Sequence, residues 1–267
     1  MKNLSIFIIL LASIFLIVGC SVSEDDDFEA DSDGSTSNPD SDYDTDTGKN
    51  DPVVEEKEEC DKKKTFKCKT DQTDGTEYSY ICESDLLLHK FETCNAGCNK
   101  STGKCNPWKD PDTGLTWSSF GIDESPNSST SFHWYEASKY CISLEENGLT
   151  GWHLPNIDEL RTIIQNCPNT EPSGACKVSE KNGCLSMSEC YHLSDCKCSE
   201  DQSGKYSKLG YSYDDLIWSS SNFIQTSYAY PEGEKLAWFV FFPKAKIEEK
   251  STEYGKAYVR CVLRNAD

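Results

Sequence analysis

The sequence lacks the local signatures on which most enzyme assignments rest. Across its 267 residues there is no Gly-rich phosphate loop, no HExxH pair and no nucleophile elbow. Basic charge is also scarce, with 26 Lys and Arg against 46 Asp and Glu, a net charge of −20. Clustered cations that would neutralise phosphates are missing, so nucleic acid is not an expected partner. Hydrophobic residues make up only 36% of the chain, and the longest apolar run, Leu4 to Val18, falls short of a membrane-spanning helix of about 20 residues. Neither a cofactor nor a metal is expected.

Cysteine, by contrast, is abundant: fifteen, too many for a reduced compartment without metal. Their distribution has a parity. Cys20 stands alone, six lie between Cys60 and Cys105, and eight between Cys141 and Cys261. Setting Cys20 aside leaves two even groups, which is the arithmetic of disulfides. Charge is uneven too. Residues 21–59 hold sixteen acids against Lys49 and Lys57, whereas residues 61–105 come to +1 and residues 106–267 to −8.

In chain order, Lys2 and the apolar run have the form of an export signal covering residues 1–19. The run ends in Ile17-Val18-Gly19-Cys20, which resembles the bacterial lipobox. The resemblance implies lipidation of the Cys20 thiol, a lipid bilayer as partner, and a lipid-anchored address in the bacterial cell envelope. Ser21 after the cysteine resembles outer-membrane sorting, with the protein then surface-exposed. Residues 20–59 read as a disordered acidic tether, too poor in apolar side chains to offset ordering entropy. Its Asp40-Asp42-Asp44-Asp46 run places Gly48 one position late for an EF-hand and lacks the closing Glu.

Residues 60–105 read as a six-cysteine β-rich module. Strands are expected at 65–67, 78–81 and 86–91, with a turn at Thr73-Asp74-Gly75-Thr76. So small a unit needs covalent bracing. Residues 106–267 read as the main domain. Trp134, Ala137, Cys141 and Leu144 share one helical face after caps at 128–131, and Gly148 ends that helix. A second helix, near 156–166, follows Pro155. Asn156 caps it, Glu159 completes a capping box, and Ile157, Leu160 and Ile164 form its apolar face. Strands are expected at 115–118, 216–220, 236–242 and 256–263. Two helices and antiparallel strands make the fold class α+β.

Between the second helix and Trp218 lies a long cysteine-rich insertion, 167–213. A loop of this length is functional or needs bracing. Tyr191, Tyr206, Tyr211 and Tyr213 are candidate ligand-loop residues that stack on sugar rings or cover the cysteine cluster. Cys190, His192, Cys196 and Cys198 would suit zinc in a reducing cell; in an exported chain disulfides are the reading. With residues 106–267 at −8, this loop favours a neutral or cationic partner over a sulfated polyanion.

A series of motifs carries a family resemblance. Thr113-Gly114-Leu115-Thr116-Trp117-Ser118, Ala137-x-x-Tyr140-Cys141, Gly151-Trp152-His153-Leu154-Pro155-Asn156-Ile157-Asp158-Glu159-Leu160, Trp218-Ser219-Ser220, Ala237-Trp238-Phe239-Val240 and Val259-Arg260-Cys261-Val262 follow in order over 108–264. Together they resemble the Lcl C-terminal-like domain of bacterial envelope proteins, which usually carries Arg where His153 stands. The resemblance implies a C-type-lectin-like fold related to formylglycine-generating enzymes. Its expected role is membrane-anchored presentation of a binding or adhesion domain to a glycan or to an envelope or host protein. The alternative is a structural lipoprotein without a dedicated ligand, and a thiol enzyme using Cys261 is a distant third. The lectin calcium triplets Glu-Pro-Asn or Gln-Pro-Asp are missing from the long loop, and Ser125-Pro126-Asn127 precedes the first helix. Cys141 is the expected disulfide partner of Cys261, so no residue is assigned as catalytic.

Overall fold

The computed structural model describes residues 58–123, 130–198, 205–210, 216–223 and 233–264. Aromatic and β-branched segments pair across polar turns to give an α+β fold with three antiparallel, three-stranded sheets. The first sheet holds β1 (Phe66–Thr70), β2 (Glu77–Cys82) and β3 (Leu88–Thr93) in that order. Asp71 and Asp74 build the β1–β2 turn by accepting backbone N–H bonds from Thr73 and Thr76, both at 2.8 Å. The third strand starts two residues later than expected. Leu86 is spent in the preceding turn at φ +60°. Bridges Cys60–Cys82, Cys68–Cys98 and Cys94–Cys105 tie the sheet to its flanking loops. Gly103 lets the last loop lie on β1. At φ +72° a Cβ there would sit 2.3 Å from the Phe66 carbonyl.

The remaining elements are β4 (Trp108–Lys109), β5 (Thr116–Gly121), α1 (Trp134–Ser143), α2 (Ile157–Arg161), α3 (Met187–Cys190), β6 (Leu216–Asn222), β7 (Leu236–Phe241), β8 (Lys246–Ser251) and β9 (Val259–Leu263). β5 lies between β4 and β9, and β7 between β6 and β8. Registers Trp117↔Val262 and Trp218↔Phe239 bring the motif tryptophans inside, where Trp117, Trp218 and Trp238 are fully buried. The first sheet shares this core through a run of rings. Phe66 meets Phe91 at 5.6 Å, Phe91 meets Phe120 edge-on at 4.7 Å, and Phe120 meets Tyr258 at 5.1 Å.

Four local expectations change. The cap position of α1 is His133, whose N–H donates to Glu136 Oε2 at 3.0 Å, rather than a residue in 128–131. That helix ends at Ser143, and Gly148 sits at φ +76° in a separate tight turn. α2 is only five residues long. It continues into β-branched Thr162-Ile163-Ile164, where Ile164 N–H bonds to Arg161 O, one residue short of helical spacing. α3 and β8 escape pattern reading, β8 because it is a charged edge with only Ile247 buried.

Candidate functional site

The loop 167–213 is held from the stretch that precedes it. Asn156 Oδ1 accepts from Glu159 N–H at 2.8 Å, and Glu159 Oε2 accepts from Asn156 N–H at 2.9 Å, closing the capping box. The serines of Trp218-Ser219-Ser220 and their neighbour dock this helix start on β6. Ser220 N–H donates to Pro155 O at 2.7 Å, and Ile157 N–H to Ser221 Oγ at 2.9 Å. Glu159 also faces His153 Nε2 at 3.5 Å and receives Arg264 Nε at 2.5 Å. Burial raises the Glu159 pKa, but bonds from His153, Arg264 and the Asn156 backbone outweigh it and hold the carboxyl at about 2. His153 is therefore an electrostatic partner as well as the packing residue that its place beside Trp152 suggests.

Arg161 is the centre of the loop. Its side chain is 2% exposed, and its guanidinium donates to the carbonyls of Thr170 at 2.8 Å, Val178 at 2.6 Å, Glu171 at 2.6 Å and Cys176 at 3.2 Å. Five fixed donors suit this task, because these four carbonyls lie outside any strand. Around it run the bridges Cys167–Cys198, Cys176–Cys196 and Cys184–Cys190. The loop's later part is fastened by Lys208, whose Nζ lies 2.8 Å from Asp112 Oδ2 and 3.4 Å from fully buried Asp110. A shallow groove of about 290 Å³ opens there, lined by Asp112, Thr162, Gln165, Glu171 and Lys208 among others.

The tyrosines named from sequence divide. Tyr206 is 5% exposed and part of the core. Tyr191 is half-buried, its ring 5.9 Å from that of Trp238. Tyr211 and Tyr213 lie outside the described residues, as do Cys20, the signal 1–19, the acidic segment through residue 57 and the Asp40–Gly48 run. The exposed loop surface is supplied instead by neighbours such as His192 and Leu193, the latter 48% exposed. Cys141 of α1 and Cys261 of β9 are joined by a disulfide across 120 residues. Cys190, Cys196 and Cys198 are likewise in disulfides, and among the described residues no group of three metal-ligating side chains gathers.

Two features escape sequence reasoning. Arg161 sits on the apolar stripe of α2, four residues after Ile157, and a cation on a buried stripe was the available signal. The other is a buried ion pair: Arg260 Nη2 meets Glu92 Oε2, Arg260 Nη1 donates to Ser118 O at 2.5 Å, and Phe120 N–H donates to Glu92 Oε1 at 3.3 Å. Both side chains are 2% exposed. Nearby Glu146 accepts from Ser119 N–H at 3.0 Å, and burial pushes its carboxyl pKa up. No local pattern signals a partner 168 residues away.

The class these features define is a disulfide-locked α+β domain whose long loop is organised by one buried arginine. The match of residues 107–263 to the Lcl C-terminal domain profile is more specific, and the chain belongs to that family. No curated protein and no solved structure matches it.

Proposed function

We propose that the protein is a lipid-anchored bacterial envelope protein whose acidic tether carries a non-catalytic, C-type-lectin-like binding head. Its partner is a glycan or an envelope or host protein, met through the braced segment 167–213. The observation that carries this reading is the state of the cysteines. All fourteen between residues 60 and 261 are in seven disulfides, the pattern of an oxidising compartment. The same fact bears on the enzyme reading. A nucleophilic cysteine must be a free thiolate, and Cys261 is bonded to Cys141. Tyr191 and Tyr206 support the loop from beneath, so contact falls to its exposed side chains.

Two experiments test the proposal. Metabolic labelling with an alkyne fatty acid should mark the wild type and not Cys20→Ala, which should leave the membrane fraction; equal labelling of both refutes the anchor. A glycan array probed with the purified protein should show binding that Arg161→Lys abolishes while the protein remains folded. Alkylation of Cys261 in the folded, unreduced protein would revive the thiol-enzyme reading.

A further inference from the structure

A wide cleft lies away from the braced loop, where the first sheet meets the Lcl-type domain. It holds about 1250 Å³ and draws its walls from residues 61–66, from 81–84 and Leu86 with Phe91, from Thr102 and Lys104, and from Thr130 and Tyr258. A single small molecule fills about 300–1,000 Å³, so this cleft has the size for an extended segment. Its floor is apolar, made of Ile81 and of Phe66, Phe91 and Tyr258, rings of the same aromatic run that joins the sheet to the domain. Its rim carries a cationic excess, with Lys62, Lys63, Lys64 and Lys104 against Asp61 and Glu83.

The lysines are placed, not scattered. Lys64 has φ +62°, an unfavourable backbone region for a residue with a side chain. Its N–H is fixed to Cys82 O at 2.8 Å and its ammonium to Asp123 O at 2.6 Å. Lys104 lies 4.9 Å over the Phe66 ring. Lys62 and Lys63 are exposed at the mouth and have no ion-pair partner among the described residues. In a chain of net charge −20, four lysines against two acids around one concavity leave a local positive excess that the overall charge conceals.

We propose that this cleft binds an acidic peptide segment, its carboxylates meeting the lysine rim and an aromatic or aliphatic side chain seated on the Phe66–Phe91–Tyr258 floor. A peptide fits better than an anionic glycan for two reasons. Among the described residues the lining contains no Asn, Gln, Arg or Trp, the planar amide and guanidinium groups that grip vicinal hydroxyls or sulfates bidentately. The floor, in turn, requires an apolar side chain to displace its water. The site is separate from the braced loop, and the proposal stands or falls independently of the glycan-facing reading. It does not conflict with the −8 charge of residues 106–267, because all four lysines come from outside that range.

Fluorescence anisotropy of a dye-labelled Glu-Glu-Phe-Glu-Glu-Leu-Glu peptide, titrated with the full-length protein in detergent, is the test. Binding should weaken by about tenfold or more as salt rises from ~50 to ~300 mM. The exposed double variant Lys62→Gln/Lys63→Gln should lose about tenfold in affinity, and a Phe-to-Ser peptide should lose a similar factor. Lys177→Gln/Lys181→Gln, exposed on the braced loop, serves as the control and should leave affinity unchanged. Equal losses in the two double variants would mean undirected electrostatics and overturn the proposal. So would the absence of binding, or displacement of the peptide by a heparin octasaccharide that binds more tightly.

Discussion

Two regions of this protein use six cysteines and three bridges to solve the same problem differently. In the segment 58–105 the bridges flank a real sheet, whose backbone groups pair strand to strand and whose Ile81 and Phe91 enter the common core. In the segment 167–198 the only regular element is one helical turn, Met187–Cys190, and four of the backbone carbonyls find a partner in the Arg161 guanidinium. Disulfides alone do not specify a chain path. They limit how far the unfolded chain expands, but buried carbonyls still require donors. One region gets them from neighbouring strands, the other from local turns and from one side chain that gathers four carbonyls, so the second should be the more sensitive to a single residue.

The sharpest way to break the comparison is therefore Arg161→Leu. It keeps an apolar stem but leaves the carbonyls of Thr170, Cys176 and Val178 without this donor and Glu171 O with only the Gly174 N–H. At about 1–3 kcal/mol for each buried group left unsatisfied, less what water recovers, the loss should be on the order of 5 kcal/mol. Hydrogen exchange should show protection lost across 167–198 while β1–β3 stay protected. If protection falls equally in both, the loop and the sheet are not separately organised.

Next in size is Glu92→Ala. The carboxylate crosses from β3 to Arg260 of β9, and removing it strands a buried guanidinium, a change that costs about 3–5 kcal/mol. The effect should be the reverse of the first variant. Exchange should rise in β3, β5 and β9, with Arg161's loop least affected. The bridge Cys94–Cys105 should still form, since its partners lie in the flanking loop rather than in the ion pair.

What sequence could and could not show follows the same division. The capping box at Asn156 and Glu159 and the antiparallel strands were legible because the groups involved lie within a few residues or follow period-two patterns. α2 appeared longer than it is because Ile163 and Ile164 continue the apolar spacing after the hydrogen bonding has changed. β8 was invisible because its neighbours supply the burial and its own residues are mostly charged. The lysine cleft was lost in a sum. Residues 61–105 come to +1 because seven acids offset eight lysines, but five of those acids, Asp71, Asp74, Glu77, Asp85 and Glu92, lie away from the rim on which the fold gathers four of the lysines. Glu92–Arg260 and the four carbonyls on Arg161 are tertiary facts with no local period.

The smallest expected effect sharpens the comparison by pH. Glu159, beside the braced loop's origin, has its folded pKa held at about 2 against an ordinary 4.5. A depressed carboxyl contributes stability that is present above 4.5 and is lost as pH falls from there toward 2. Glu146, bonded to Ser119 beside the buried Glu92–Arg260 pair, has its pKa raised by burial, with Glu92 adding to the rise and the Ser119 bonds and Arg260 opposing it. A raised carboxyl works with the opposite sign: its contribution is complete below 4.5 and is lost as pH rises through the folded value. Urea unfolding across this range should therefore separate the two. Glu159→Gln should flatten the acid limb, losing stability near neutrality and little near pH 2. Glu146→Gln, whose amide oxygen still accepts from Ser119, should match or exceed the wild type near neutrality and show no gain in acid. If both variants shift the curve in the same direction, the environments of the two carboxylates are not opposed.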